Sequence, residues 1–128
     1  MMRLVFAAVF AAAGPSFLAA EPIPLPSGLQ VEFLDIVADD PGLGYAYRFR
    51  FVAAALDASR SYSTTEADLA HLCRSYALPR VVNADPPAAS IVIALADRVL
   101  PFGSTDPEAV QFFEAYTPLG ADCVWQAF

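Results

Sequence analysis

Two cysteines far behind an N-terminal stretch typical of an export signal constrain this chain more than any other feature. Cys73 and Cys123 are its cysteines, and in an oxidising compartment such a pair predicts one long-range disulfide within a small domain. The alternative, a redox or metal-binding pair, is disfavoured because the spacing is not Cys-x-x-Cys and zinc would need further ligands. The pair therefore indicates where the protein folds and what stabilises it, but not a reaction.

The first residues have the composition of a cleaved signal peptide. Met1-Met2-Arg3 is a short positive region, and the uncharged apolar run from Leu4 to Ala13 is followed by Gly14-Pro15. A helix that spans a bilayer needs about 20 apolar residues, so this run is short for an anchor. We expect a signal peptide over residues 1–20, cleavage after Ala20, no stable membrane insertion afterwards, and a periplasmic or secreted location. An uncleaved membrane anchor is the alternative.

The charge balance of the chain is acidic. Fourteen Asp and Glu residues oppose seven Arg residues, the sequence contains no Lys, and the formal net charge is −7 at pH 7. A net negative surface argues against nucleic acid and anionic membranes as partners, because like charges repel. The expected partner is a protein or an envelope component. The chain has no cofactor-binding motif, and we expect no cofactor.

The pattern of the mature chain predicts one α+β domain. Residues 21–28 contain three prolines and form an extended lead-in, while residues 29–128 form the domain. It is expected to be a small antiparallel sheet of four or five strands with one main helix packed on one face and one disulfide. Alternation and turn signals predict the strands, at residues 29–38, 45–51, 90–96, 112–117 and 123–128.

The clearest strand is residues 45–51, in which aromatic residues alternate with Ala46, Arg48 and Arg50. Since successive side chains of a strand point to opposite faces, the two arginines share one face. If the preceding strand pairs with Phe33 opposite Phe49, Glu32 falls opposite Arg50 and offsets its charge.

One helix is predicted over residues 63–77. Ser63 and Glu66 have the spacing of a capping box, and Pro79 is expected to end the helix. One apolar stripe along it consists of Leu69, Leu72, Cys73 and Tyr76. Cys73 therefore points inward, and a bond to Cys123 would fasten the helix to the strand that carries Cys123 and Trp125.

The last third of the chain fits two structures. Asp106-Pro107-Glu108 is a good helix start, and a helical stripe could continue to Tyr116. The same residues fit an antiparallel hairpin of residues 112–117 and 123–128. We favour one helical turn at residues 106–109 followed by the hairpin.

No catalytic constellation is present. His71 is the one histidine, so a histidine-based hydrolytic mechanism must use it, although its place on the helix indicates a solvated position. No metal site is predicted. Asp97 and Arg98 end a buried strand, where loops often carry function, and arginines on a strand face can receive an anionic group. The candidate binding surface consists of Asp97, Arg98, Phe102, Arg48, Arg50 and His71.

Several segments of the chain match a known group of proteins: Phe49-Arg50-Phe51-Val52, His71-Leu72-Cys73, Ala77-Leu78-Pro79, Ser90 to Arg98, Pro101-Phe102-Gly103, Phe112 to Tyr116 and Cys123-Val124-Trp125. In these segments the chain resembles a family of short secreted alphaproteobacterial proteins of unknown function. The resemblance covers nearly the whole mature chain and implies an exported fold with two cysteines and no assigned activity. Some relatives carry an automatic label of acetolactate synthase, which the sequence does not support. Such enzymes resemble large thiamine-diphosphate proteins with a cofactor-and-metal motif and several domains.

The expected function is a non-enzymatic binding or interaction module of the cell envelope. The alternative is a small periplasmic enzyme, possibly a hydrolase using His71 or Asp97 with Arg98. A pocket that joins His71 to Asp97 or Glu114 would favour the enzyme, and a flat aromatic patch would favour the binding module. An acidic inhibitor of a secreted enzyme is a third candidate, and sequence alone does not separate it from the first.

Overall fold

The computed structural model describes residues 22–40, 42 and 44–127. Within them lie six strands and one helix of 20 residues. The helix, α1, joins α-helical Tyr62–Leu72, a π-helical turn at Cys73–Ala77 and α-helical Leu78–Val81. The strands are β1 (Ile23–Pro24), β2 (Gln30–Asp39), β3 (Tyr45–Val52), β4 (Ala88–Ala96), β5 (Gln111–Leu119) and β6 (Asp122–Trp125). The predicted signal peptide, residues 1–20, and its cleavage after Ala20 lie outside this part of the chain.

The strands form one sheet whose spatial order, β1 to β6, follows the order in the sequence. Neighbouring strands are antiparallel except β3 and β4, which run parallel. Parallel neighbours need a long crossover connection, and α1 lies within it. No helix in the described part of the chain is long and apolar enough to cross a membrane.

The predicted fold class is wrong. In place of a small antiparallel sheet of four or five strands packed on a helix, the protein is mostly sheet, with six strands curled into a half-barrel. The antiparallel prediction failed because it took no account of the crossover through α1. The extra strand, β1, lies in the proline-rich lead-in, where Ile23 pairs with Val31 and Pro24 with Gln30. Proline is tolerated there because an edge strand leaves one row of amides unpaired.

The predicted register of β2 and β3 is also wrong. Phe33 lies opposite Phe51, and Asp35 lies opposite Arg50, with a register shift between Phe33 and Asp35. A bulge of this kind adds one residue to one strand and displaces the pairs beyond it. Glu32, the predicted partner of Arg50, instead pairs with Val52.

The helix begins before, and continues beyond, its predicted bounds of 63–77. Its N-cap is Ser61, whose hydroxyl accepts a hydrogen bond from the Thr64 amide at 3.3 Å, so the capping box predicted from Ser63 and Glu66 is wrong. Pro79 does not end the helix. It follows the π-helical turn directly, one residue after Leu78, whose amide donates to the Cys73 carbonyl. The wider turn accommodates a residue that has no N–H to donate.

The core contains the inward faces of α1 and of the central strands. Leu69, Leu72 and Cys73 of the predicted helical stripe are almost fully buried, together with Phe49, Phe51, Ile91, Ile93 and Leu95 from the sheet. The predicted disulfide is confirmed: Cys73 is bonded to Cys123 of β6, with their Cα atoms 6.2 Å apart. The bond joins α1 to the last strand of the sheet.

The C-terminal hairpin is confirmed, since β5 and β6 pair antiparallel. The single helical turn predicted at residues 106–109 is wrong, because this segment forms a turn in the β4–β5 loop. Asp106 closes that turn by accepting a hydrogen bond from the Glu108 amide at 2.9 Å. An aspartate that binds an amide two residues ahead favours a turn over a helix.

A buried polar network ties the start of the sheet to the helix. Asp68 of α1 is 0% exposed. Its carboxylate accepts hydrogen bonds from the Ser27 amide at 3.1 Å, the Ser27 hydroxyl at 2.5 Å and the Arg60 guanidinium at 2.7 Å. A buried charge is stable only when paired and hydrogen-bonded in this way.

Candidate functional site: an arginine-lined pocket

The outer face of the sheet, opposite α1, carries two arginines of β3. Phe49 and Phe51 are buried in the core, so the alternation of strand side chains directs Arg48 and Arg50 to the other face. Arg50 of β3 lies beside Ala94 of the neighbouring strand β4. A methyl group leaves open space next to a long side chain, and the outer face therefore has a hollow at this position.

The loop between β4 and β5, residues 97–110, closes one side of this hollow. Arg50 donates a hydrogen bond to the Leu100 carbonyl, and the Phe102 ring centroid lies 5.8 Å from the Arg48 guanidinium carbon. The result is a cavity of about 350 Å³, here named the arginine pocket. Its side-chain walls include Leu34, Arg48, Arg50, Val52, Ala94, Arg98, Leu100, Pro101, Phe102 and Phe113.

Ion pairs fix the shape of the loop. Two oxygens of Asp97 each accept a hydrogen bond from Arg98 at 3.0 Å, and Asp97 also accepts from the Val110 amide at 3.2 Å. Arg98 reaches across the loop to Asp106 at 3.6 Å. Hydrogen bonding between the two groups lowers the pKa of Asp97 and raises the pKa of Arg98. Both groups are thus held in their charged forms, as loop supports.

Arg50 has a carboxylate partner. Its Nη1 lies 3.4 Å from a carboxylate oxygen of Asp35, and 13% of its side chain is exposed. The predicted partner, Glu32, is wrong, and Asp35 takes its place beside Arg50. Because Arg50 also binds the Leu100 carbonyl, two acceptors of the protein occupy its guanidinium.

Arg48 lacks such a partner. Among the described residues, no carboxylate lies within ion-pair distance of it. Its guanidinium carbon lies 5.8 Å from the Phe102 ring centroid and 6.0 Å from that of Phe113. Burial, followed by repulsion from Arg50, lowers the pKa of Arg48, while Asp39 acts in the opposite direction. Arginine stays charged all the same, so the pocket contains a half-buried cation without a close counter-ion.

The structure brings together four of the six predicted surface residues. Arg48, Arg50, Arg98 and Phe102 line the arginine pocket, and Asp97 supports its loop from outside the lining. His71 belongs to α1, which packs against the opposite face of the sheet, and it is not part of the lining.

The catalytic grouping of His71 with Asp97 or Glu114 is not formed in this pocket. Asp97 binds Arg98. Glu114 accepts hydrogen bonds from the Tyr62 hydroxyl at 3.3 Å and the Trp125 indole at 2.6 Å. Both carboxylates therefore have structural partners.

Sequence reasoning missed Phe113 and the apolar walls of the pocket. Phe113 pairs with Ala94 across β4 and β5, so the register of the predicted hairpin against β4 is the signal that would have found it. Within residues 22–40, 42 and 44–127, no group of three or more His, Cys, Asp or Glu side chains is arranged to hold a metal ion.

Comparison with known proteins gives one match. A family described as a family of unknown function (DUF6497) matches residues 5–128 of the chain. Neither the curated proteins nor the solved structures contain a significant match.

Proposed function

The chain belongs to a family of unknown function, DUF6497, and we propose that it is a non-enzymatic binding module that holds an anionic group of its partner in the arginine pocket. The observation that carries this proposal is Arg48, a half-buried cation with no carboxylate within ion-pair distance among the described residues. Burying part of a charge is unfavourable unless a counter-ion compensates it. An anionic ligand would supply that counter-ion.

The distribution of charge supports the same function. Three of the seven arginines line one pocket in a chain of net charge −7. Arg50 and Arg98 are paired with carboxylates, but the cation of Arg48 inside the cleft attracts anions even when the protein as a whole is acidic. The ligand is thus expected to be small or locally anionic, and nucleic acid is disfavoured.

We further propose that the module works in the periplasm or outside the cell, with a protein or envelope component as its partner. Support comes from the Cys73–Cys123 disulfide and from the signal-like residues 1–20, because structural disulfides persist in oxidising compartments.

The intact mass of the protein from the periplasmic fraction tests the proposed location. A chain that begins at Glu21 and resists alkylation until it is reduced is expected. A full-length chain with two alkylatable thiols would contradict it.

The alternative, a small hydrolase using His71 or Asp97 with Arg98, has less support. Its histidine lies on the helix, outside the lining of the pocket, and Asp97 is engaged by Arg98 at 3.0 Å. A general base must reach the proton that it removes. The geometry therefore favours binding over hydrolysis.

Anion titration followed by amide NMR tests the binding function. With acetate, inorganic phosphate and 4-phenylbutyrate as separate probes, we expect at least one to shift the amides of residues 98–105 in a saturable manner and to be recovered chemically unchanged. Arg48→Met keeps the length of the side chain and should abolish the shifts.

The matched control is Arg74→Met, which removes the same charge from an exposed position on α1. Unfolding midpoints of both variants report whether the fold is intact. If no anion shifts these amides, or if Arg48→Met responds like the wild type, the proposed function is wrong.

A further inference from the structure

The proposed function does not specify the chemical class of the anion, but the residues of the arginine pocket indicate one. Resting on that function, we infer that the pocket binds a single carboxylate attached to an apolar body. A small organic acid and the C-terminal residue of a peptide are two sources of this chemistry. The inference depends on which donors are free, on what surrounds them and on the size of the space.

The number of free cations limits the charge of the ligand. Arg50 is held by Asp35 and the Leu100 carbonyl, and Arg98 is held by Asp97 and Asp106. Arg48 is therefore the lining cation whose donors have no hydrogen-bond acceptor among the described residues. One guanidinium presents a planar fork of donors that matches the two oxygens of one carboxylate.

A ligand of higher charge fits the protein less well. Phosphoryl groups and polyanions would bring further negative charge to a single available guanidinium, within a protein of net charge −7. Long-range repulsion lowers both the approach rate and the affinity of such ligands. A monoanion is affected least.

The surroundings of Arg48 select the rest of the ligand. Phe102 and Phe113 flank its guanidinium, and they are 57% and 56% exposed. A ligand that covers the apolar surface of these exposed rings is stabilised by removing that surface from water. The remaining walls are mainly apolar and include Leu34, Val52, Ala94, Leu100 and Pro101. An apolar body beside the carboxylate would contact these walls, whereas acetate would leave them open to water.

The size of the cavity agrees with a small ligand. Its volume of about 350 Å³ lies at the lower end of the range of about 300–1,000 Å³ for small-molecule sites. One aromatic or short aliphatic acid, or one apolar terminal residue, can be accommodated. A long lipid or a folded domain would have to remain largely outside.

Four probes test the chemistry by amide NMR titration of the full mature chain: 4-phenylbutyrate, its neutral amide 4-phenylbutyramide, acetate and inorganic phosphate. We expect 4-phenylbutyrate to bind about tenfold or more tightly than the amide, because one charge-assisted hydrogen bond is worth that much. It should also bind more tightly than acetate, which lacks the apolar body, and than phosphate.

Two further probes distinguish the sources of the carboxylate. The peptide Gly-Gly-Phe is titrated with a free and with an amidated C-terminus. Tighter binding of the free peptide than of 4-phenylbutyrate supports a chain end as the natural ligand, and the reverse order supports a free organic acid. Either order agrees with the inference, provided that the amidated peptide binds about tenfold or more weakly than the free one.

Two variants connect binding to the pocket. Arg48→Met should remove the difference between 4-phenylbutyrate and its amide. Phe102→Ala, at an exposed position, should weaken 4-phenylbutyrate more than it weakens acetate. Arg74→Met serves as the charge-matched control.

Three results would overturn the inference in distinguishable ways. Tighter binding of phosphate than of 4-phenylbutyrate, lost in Arg48→Met, refutes the carboxylate class and leaves anion binding intact. Equal binding of 4-phenylbutyrate and its amide refutes the inference, and no binding of any anion refutes the inference together with the proposed function.

Discussion

Asp68 shows how much of the stability of this fold depends on single buried charges. Its carboxylate, 0% exposed, accepts hydrogen bonds from Ser27 and Arg60. Asp68→Asn keeps the size of the side chain but removes the charge that faces Arg60, whose side chain is 12% exposed. We expect the free energy of unfolding in urea to fall by about 3–5 kcal/mol, as for other broken buried pairs.

The control for this variant is Glu66→Gln, an exposed carboxylate on the same helix. Surface changes of this type stay within about 0.5 kcal/mol. A loss below about 1 kcal/mol for Asp68→Asn would show that water or local rearrangement replaces the network.

Asp97 makes the loop over the arginine pocket sensitive to acid. Its hydrogen bond with Arg98 lowers its pKa in the folded state. A depressed carboxylate pKa contributes stability above the unfolded-state value, about 3.9, and this contribution is lost as the pH falls through the lower folded-state pKa. We therefore expect Asp97→Asn to be less stable than the wild type at neutral pH and to approach it in strong acid.

Urea unfolding of both proteins between about pH 7 and pH 2 measures this convergence. Asp57→Asn is a useful control, because the pKa of Asp57 is lowered by a local hydrogen bond from Ser59, remote from the loop. Asp57→Asn should also be less stable than the wild type at neutral pH and approach it in strong acid. Unlike Asp97→Asn, it should leave the NMR signals of the amides of residues 98–105 where they are in the wild type. If the free energies of unfolding of Asp97→Asn and the wild type differ by the same amount at every pH, the lowered pKa of Asp97 does not contribute to stability.

Part of the candidate site is visible in single residues of the sequence. The alternation in residues 45–51 places Arg48 and Arg50 on one face, and the structure agrees. The sequence pattern could not show that Arg98 and Phe102 come close to these arginines, since this depends on how the loop after β4 folds back. His71 was selected because it is the one histidine, and its neighbours across the fold decide its role.

Among the elements, the turn between β2 and β3 contains two glycines that permit a comparison. Gly42 and Gly44 have φ values of +95° and +98°, which residues with a side chain rarely adopt. A Cβ at Gly44 would lie 2.7 Å from the Cβ of Ala89 at the start of β4, whereas a Cβ at Gly42 would meet nothing within 4 Å. Gly44 therefore permits a close approach between this turn and β4.

Alanine at each position should separate backbone strain from contact. Gly42→Ala is expected to cost about 1–3 kcal/mol of unfolding free energy through backbone strain alone. Gly44→Ala is expected to cost about 1–3 kcal/mol more, because β4 would have to move. Urea unfolding of the two variants gives the difference. Equal losses would show that β4 adapts without cost.

The strands and the helix could be predicted from the sequence as separate elements, whereas the register and direction in which the strands pair could not. Alternation and apolar stripes are local signals, and they identified β2 to β6 and most of α1. The bulge between Phe33 and Asp35 leaves no local signal in composition. The predicted partner of Phe33, Phe49, lies two residues from its observed partner, Phe51. Likewise, a proline normally ends a helix, and the sequence contains no signal for the π-helical turn that precedes Pro79.

For the whole molecule, the Cys73–Cys123 bond constrains the chain most strongly. It joins residues separated by 50 positions, and closing a loop of this length removes entropy from the unfolded chain worth about 4 kcal/mol. We expect Cys73→Ala/Cys123→Ala to lose about that free energy of unfolding in urea. The double variant avoids a free thiol.

The wild type under reducing conditions provides the matched measurement. Its unfolding midpoint should fall to that of the double variant, because both lack the same covalent link. A reduced wild type that keeps the oxidised midpoint would mean that the unfolded chain is already compact around these residues. The pairing itself was predicted correctly from the sequence, since two cysteines allow one internal bond.

The agreement between strand order and sequence order has a consequence for how the chain acquires its structure. Each strand pairs with the strand that immediately precedes or follows it in the sequence. Most pairings therefore close a loop shorter than the crossover, and a shorter loop costs less entropy to close. The exception is the parallel β3–β4 pair, whose ends are separated by the whole of α1. Helices form within about a microsecond, and early formation of α1 shortens that separation. The sheet can therefore form by adding one neighbouring strand at a time, and the β3–β4 pairing is the step that must bridge the long crossover.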